Sequence, residues 1–163
     1  MLRSRRSTIL VGMAAGLLWA IVLVGGPQWA GLPYLPAALA LPGAFLAPGL
    51  VLALMIGRLA QRRFFDDAII DGQPFAPGSA ADIDQRVLVN TVEQLVLALA
   101  IWPFAAVTLG GAVTIALGLG FALMRLLFWL GYHLSPPLRA LGFAGTFYPS
   151  VLAGLWSLVA WLV

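Results

Sequence analysis

Long apolar runs separated by short polar breaks dominate this sequence. A helix needs about 20 apolar residues to cross the hydrocarbon core of a bilayer, because its rise is about 1.5 Å per residue. The pattern therefore predicts an all-α, polytopic membrane protein with five spans. The predicted spans cover about residues 8–26, 37–57, 86–108, 110–134 and 141–163.

Glycine- and proline-rich breaks mark the predicted helix ends. Residues 25–27 end the first span, and residues 135–137 separate the last two. Pro42 and Pro48 interrupt the second run, so we expect either a kink or an extended entry before that helix begins. The first run is longer than the apolar region of a signal peptide, and no small-residue cleavage site follows it, which favours a retained helix.

One long polar stretch, residues 58–85, separates the second span from the third. Its length favours a functional role, although a solvated, partly disordered loop accounts for the same composition. Its aspartates lack the alternating spacing of a calcium-binding loop, so we expect them to form a solvated surface.

Small residues recur every four positions along the fourth span in two stripes, one of which includes Gly118 and the other Gly120. Such stripes let helix backbones approach closely. The sequence leaves open whether the partner helix belongs to the same chain or to a second subunit.

The composition excludes an ordinary soluble domain. Of the 163 residues, 62% are hydrophobic and only 9% charged, against about 25% charged in soluble domains. The net charge of +3 comes entirely from arginines at the ends of apolar runs, a distribution typical of topology determinants and not of a nucleic-acid surface. With no cysteine and a single histidine, His133, we expect no metal site, and we expect His133 to face headgroups or solvent.

The arginines also predict an orientation. If the amino terminus is cytoplasmic, eight of the nine lie on the cytoplasmic side, and the opposite connections carry no charge. The positive-inside rule therefore predicts a cytoplasmic amino terminus and a carboxyl terminus on the far side, and we expect a bacterial inner membrane. These eight are Arg3, Arg5, Arg6, Arg58, Arg62, Arg63, Arg86 and Arg139.

Two ionisable residues, Glu93 and Arg125, lie inside predicted spans. Glu93 precedes Gly110 by 17 residues and Arg125 follows it by 15, so antiparallel helices place them at similar depth. An unpaired charge there costs about 2.5–3.5 kcal/mol on insertion scales. We therefore expect a mutual ion pair or a shared polar ligand.

Further polar residues accompany this pair at helical spacing. Together they suit a small zwitterionic or polyanionic, peptide-like ligand, since arginine binds carboxylates with two parallel hydrogen bonds. The alternative is a structural ion pair between two helices, with the remaining side chains reaching the interface. These further residues are Arg86, Asn90, Tyr132 and Arg139.

The arrangement resembles that of the MAPEG family, small membrane proteins related to microsomal glutathione transferases, leukotriene-forming synthases and prostaglandin E synthase. The resemblance extends over about residues 37–163 and implies a four-helix bundle with a cytoplasmic loop at residues 58–85. Residues 1–36 then form an additional amino-terminal basic segment, helix and connection. The matching pattern is Arg86-x-x-x-Asn90-x-x-Glu93, then Arg125, Gly131-Tyr132 and Arg139.

The family resemblance also implies a homotrimer that binds glutathione or a related thiol at subunit interfaces near the cytoplasmic side. Arg139 would be the catalytic residue, because an adjacent cation favours the thiolate. A lipophilic substrate would arrive from the bilayer and be conjugated or reduced, whereas a non-enzymatic membrane subunit is the alternative. The residues implied to hold the thiol are Arg62, Arg63, Arg86, Asn90, Glu93, Arg125 and Tyr132.

Overall fold

The computed structural model describes residues 2–163, with side chains from Arg6 onward, so the side chains of Arg3 and Arg5 lie outside the described residues. Each of its five helices is long and apolar enough to cross a membrane. The prediction of an all-α protein with five spans is confirmed. The helices are α1 (Leu2–Trp29), α2 (Ala37–Phe64), α3 (Ala80–Thr108), α4 (Gly111–Leu134) and α5 (Pro136–Leu162).

Two of the predicted breaks are not helix ends. Helix α1 continues through Pro27 to Trp29, so the predicted end at residues 25–27 is wrong by about a turn. Helix α2 is already regular from Ala37 and includes both Pro42 and Pro48, so it has no extended entry. A proline removes one backbone donor, and a helix held on its neighbours tolerates that loss.

The polar stretch between the second and third spans is shorter than predicted. Helix α2 extends to Phe64, and α3 begins at Ala80 behind the N-cap Ser79. The Ser79 hydroxyl accepts a hydrogen bond from the Asp82 amide (3.1 Å), while the Asp82 carboxylate accepts one from the Gly78 amide (2.8 Å). The Ser79 and Asp82 side chains thus provide hydrogen-bond acceptors for two backbone amides at the start of α3.

The core lies between α2, α3, α4 and α5, where Trp102 of α3 is almost completely buried. Its ring stacks on Phe45 and meets Phe121 edge-on, with centroids 5.1 and 5.8 Å away. The Trp102 indole donates to the Ser150 hydroxyl at 3.2 Å. These contacts join all four helices around one side chain.

Helix α1 packs on the outside of this bundle, against α5 and α4. The glycines of α4 are contact points within the chain: Gly118 lies against the α2 backbone at Ala44, and Gly120 lies against Trp19 and Leu23 of α1. A Cβ at either position would meet these atoms too closely. The small-residue stripes of α4 therefore serve internal helix contacts.

Candidate functional site

Arg125 is fully buried in the middle of the bundle. From α4 its guanidinium donates to the Asn90 side-chain oxygen (2.9 Å), the Gly142 carbonyl (3.2 Å) and the Thr146 hydroxyl (2.5 Å). The ring of Phe128 lies under it, 4.3 Å from the guanidinium carbon. This side chain thus ties α3 to α5 through α4.

Glu93 does not form the expected ion pair with Arg125. Among the described residues no ion pair joins the two. The Asn90 amide group connects them instead, since its oxygen accepts from Arg125 and its nitrogen donates to the Glu93 carboxylate at 3.1 Å. Glu93 itself is exposed on the outer face of α3. The side chains of Glu93 and Arg125 therefore do not meet, and Asn90 bridges them.

Three other predicted thiol-binding arginines have partners within the chain. Arg86 pairs with Asp82 one turn away, and its side chain is 57% exposed. Arg63 donates to the carbonyls of Ile69 and Gln73, both at 3.1 Å, which holds the polar loop against the end of α2. Arg62 donates its Nε to Asp84 at 2.7 Å.

Asp84 is a buried carboxylate with several polar partners, and the sequence analysis did not single it out as a site residue. The prediction of a solvated aspartate is wrong, because the Asp84 side chain is only 3% exposed. Besides Arg62, it binds the Trp129 indole nitrogen at 2.7 Å and His133 Nε2 at 2.9 Å. His133 therefore contacts a carboxylate and does not simply face headgroups or solvent. One carboxylate joins α2, α3 and α4 at their polar ends.

A cavity of about 500 Å³ lies between α1, α3, α4 and α5. Three predicted site residues line it, namely Asn90, Tyr132 and Arg139. The Arg139 guanidinium carbon lies 4.9 Å from the centre of the Tyr132 ring, and among the described residues no carboxylate lies within ion-pair distance of it. Arg125 does not line the cavity.

A close approach between α4 and α5 positions these two residues. Gly131, the last small residue of α4, lies directly against the Arg139 backbone, where a Cβ would collide. Tyr132 follows Gly131 in the chain, so the approach brings its ring under Arg139. The residue types at this corner thus fix the geometry of the cavity.

A family model for the MAPEG family matches residues 36–161, which is most of the chain. The protein belongs to the MAPEG family. It is therefore a membrane protein of a family concerned with glutathione and eicosanoid metabolism. No curated protein and no solved structure matches it.

The family match leaves out α1, which ends at Trp29, yet α1 reaches the cavity of this MAPEG protein. Ile9 and Met13 of α1 form part of the cavity wall, together with the aromatic side chains of Phe128 and Phe143. Gly12 fixes this wall in place, because it lies against the Pro137 carbonyl and the Ala140 side chain of α5. The additional helix thus adds apolar surface to a cavity whose polar residues belong to the family segment.

No group of three or more histidine, cysteine, aspartate or glutamate side chains that could hold a metal ion occurs among residues 6–163. The group formed by Asp84 and its three partners contains one carboxylate and one imidazole, with an arginine and a tryptophan that can only donate.

Proposed function

We propose that this protein binds glutathione or a related thiol in the Arg139 cavity and transfers it to, or reduces, a lipophilic substrate. The observation that supports this best is the position of Arg139, which faces a cavity without a carboxylate to neutralise it. A cation without a partner is available to an anionic ligand.

The cavity suits such a ligand in size and in chemistry. Its volume of about 500 Å³ lies within the range of roughly 300–1,000 Å³ that is usual for small-molecule sites. Asn90 offers an amide and Tyr132 a phenol to a peptide-like molecule, and Arg139 offers the charge that a carboxylate or a thiolate needs. The bound thiol supplies the nucleophilic sulfur that a chain without cysteine lacks.

Arg139 is the proposed catalytic residue, since its positive charge lowers the free energy of an anion next to it. Arg125 acts indirectly in this proposal, through Asn90. It holds the oxygen of Asn90, which in turn lines the cavity, and so it positions a binding residue without touching the ligand.

The apolar walls account for the lipophilic substrate. Phe128, Phe143, Ile9 and Met13 all line the cavity. An apolar molecule dissolved in the bilayer gains by burial against these side chains. The substrate and the thiol would thus meet at the border between aromatic and charged side chains.

The proposal also includes a homotrimer. Glu93 is exposed on α3 together with the apolar residues Val89, Val96 and Leu99. A carboxylate at this depth is costly when it faces lipid, which favours a subunit contact along this face. Glu93 and Arg86 would then complete the thiol site from the subunit interface, on the cytoplasmic side of a bacterial inner membrane.

A non-enzymatic membrane subunit is the second candidate, and one observation favours it. Arg125 finds all three of its acceptors within its own chain, which is the pattern of a residue that stabilises a bundle. If the same holds for the whole polar cluster, the cavity binds no thiol.

Thermal stability of the detergent-purified protein separates the two candidates. Glutathione at millimolar concentration raises Tm by mass action if it binds the folded state, and the same tripeptide with serine in place of cysteine gives a smaller rise. Arg139→Gln is expected to remove the difference between the two tripeptides. Arg6→Gln removes one exposed cation outside this cavity and is the matched control, which keeps the difference. Equal and negligible shifts with both tripeptides, in an intact oligomer, would support the non-enzymatic subunit.

A further inference from the structure

An apolar groove runs along the outside of α2 beside α4, separate from the Arg139 cavity. It has a volume of about 730 Å³ and ends at Arg58 and Trp129. Nothing lies within 4 Å of the place where a Cβ would stand on Gly57, so the groove is open at that point. Its remaining lining residues are Leu50, Ala53, Leu54 and Gln61.

A polar cavity of about 350 Å³ adjoins the end of this groove. The two share Arg58 and Trp129 as lining residues, so they adjoin at these side chains. Arg62 and His133 also line the polar cavity. The pair therefore forms one elongated site, apolar along α2 and polar at its end.

The charge of the polar end is positive. Arg58 and Arg62 are four residues apart on α2, so they lie on the same face of the helix. Asp84 is the one acidic residue that lines either cavity among the described residues, and its carboxylate already accepts from Arg62, Trp129 and His133. Arg62 uses only its Nε in this contact. Its terminal amino groups make no hydrogen bond within residues 6–163 and can donate to a further anion.

The orientation of the site matches that of a lipid. The arginines stand at the end of the membrane-spanning helix, and Leu54 and Leu50 lie one and two turns toward its middle. From Leu50 to Arg62 the helix rises about 18 Å, which is enough to accommodate much of an acyl chain beside a headgroup. Basic pockets between transmembrane helices are a common way to bind anionic headgroups, because arginine matches the geometry of phosphate.

We propose that the groove between α2 and α4 binds an anionic phospholipid. The phosphate lies between Arg58 and Arg62, beside His133, and one acyl chain follows Gly57, Leu54 and Leu50 toward the middle of the bilayer. A second copy of the chain is the competing occupant. The net positive charge at the end of the groove favours the lipid. Arg58 has no ion-pair partner among the described residues, and Arg62, although its Nε is paired with Asp84, keeps its terminal amino groups for a further anion.

The test measures the Tm of delipidated protein in detergent with phosphatidylglycerol or phosphatidylcholine that carry identical acyl chains. Phosphatidylglycerol is expected to raise Tm by several degrees more than phosphatidylcholine. Inorganic phosphate alone is expected to give little of this rise, because it lacks the chain that fills the groove. A full rise with inorganic phosphate would identify a free anion as the ligand and overturn the proposal.

Two pairs of variants locate the effect. Gly57→Leu fills the groove, whereas Gly49→Leu adds the same side chain at another exposed, open position of α2 outside it. Arg58→Gln removes a cation at the polar end, whereas Arg6→Gln removes an exposed one outside both cavities. We expect Gly57→Leu and Arg58→Gln to reduce the preference for phosphatidylglycerol at least twofold, and the two controls to leave it unchanged.

Three further results would contradict the lipid site. These are equal shifts with the two lipids, equal effects of Gly57→Leu and Gly49→Leu, or a smaller oligomer with Gly57→Leu alone. The last result would show that a second copy covers the groove. Native mass spectrometry of the same samples reports both the number of chains and the number of retained lipids.

Discussion

Arg125 and Arg139 lie on neighbouring helices close to the same cavity, but their surroundings differ. Arg125 is fully buried and has three hydrogen-bond acceptors, all within its own chain. Arg139 is only partly buried and contacts the Tyr132 ring. A buried cation whose terminal amino groups donate to its own chain stabilises a fold. A cation at a cavity without a counter-charge can bind a ligand. The comparison separates an arginine that stabilises the fold from one that is proposed to bind the thiol.

The largest predicted effect is on stability, from Arg125→Ala. The change leaves the Asn90 oxygen and the Thr146 hydroxyl without their donor and opens a cavity between α3, α4 and α5. We expect a loss of about 3 kcal/mol, or a fall in Tm of roughly 6–12 °C for a chain of this size. Thermal unfolding measures it, with Arg139→Ala as the control that shifts Tm little. A larger fall with Arg139→Ala would invert the assignment of the two arginines.

Asp84→Asn extends the comparison of buried and exposed charges from the arginines to a buried carboxylate. The substitution keeps the shape but removes the charge that Arg62, Trp129 and His133 share. Because Arg62 and His133 are partly exposed, solvent screens part of the loss, and we expect about 1–2 kcal/mol. The same unfolding experiment tests this value. The matched control is Asp82→Asn, which removes a more exposed carboxylate two residues away. Equal destabilisation by the two variants would show that burial of Asp84 contributes nothing.

Met13→Trp is expected to change stability least. Met13 lines the Arg139 cavity from α1, where a larger side chain occupies space without breaking a polar contact. We expect Tm to change by about 2 °C or less, while conjugation of glutathione to bulky hydrophobic electrophiles falls more than conjugation to small ones. Kinetics with a series of electrophiles of increasing size measure this. An equal fall across the series would show that α1 does not form the wall of the substrate site.

Much of the fold could be predicted from the sequence, because apolar runs of sufficient length have few alternatives in a bilayer. The helix ends were harder to place. The start of α3 carried a usable signal, since Ser79 and Asp82 have the spacing of a helix cap. The end of α2 carried none, because arginines and other polar residues extend a helix into the interface as readily as they form a loop.

The polar contacts show how much can be predicted from the position of each residue along its helix. Counting residues from Gly110 predicts similar heights for Glu93 and Arg125, but counting does not fix how each helix is rotated about its axis. Asn90 therefore stands between them. The same counting places Asp84 at 26 residues before Gly110 and His133 at 23 after it, and these two do meet. The signal for the Asp84 contact was present in the sequence.

The most direct test of the central claim is the ionisation of the bound thiol. Thiolate absorbance of glutathione on the purified protein, followed against pH, reports the pKa of the sulfur in the cavity. We expect a pKa below that of free glutathione in the unaltered protein and a return toward the free value in Arg139→Gln, with Arg6→Gln unchanged. The same titration curve for the unaltered protein and Arg139→Gln would contradict the assignment of Arg139 to the chemistry.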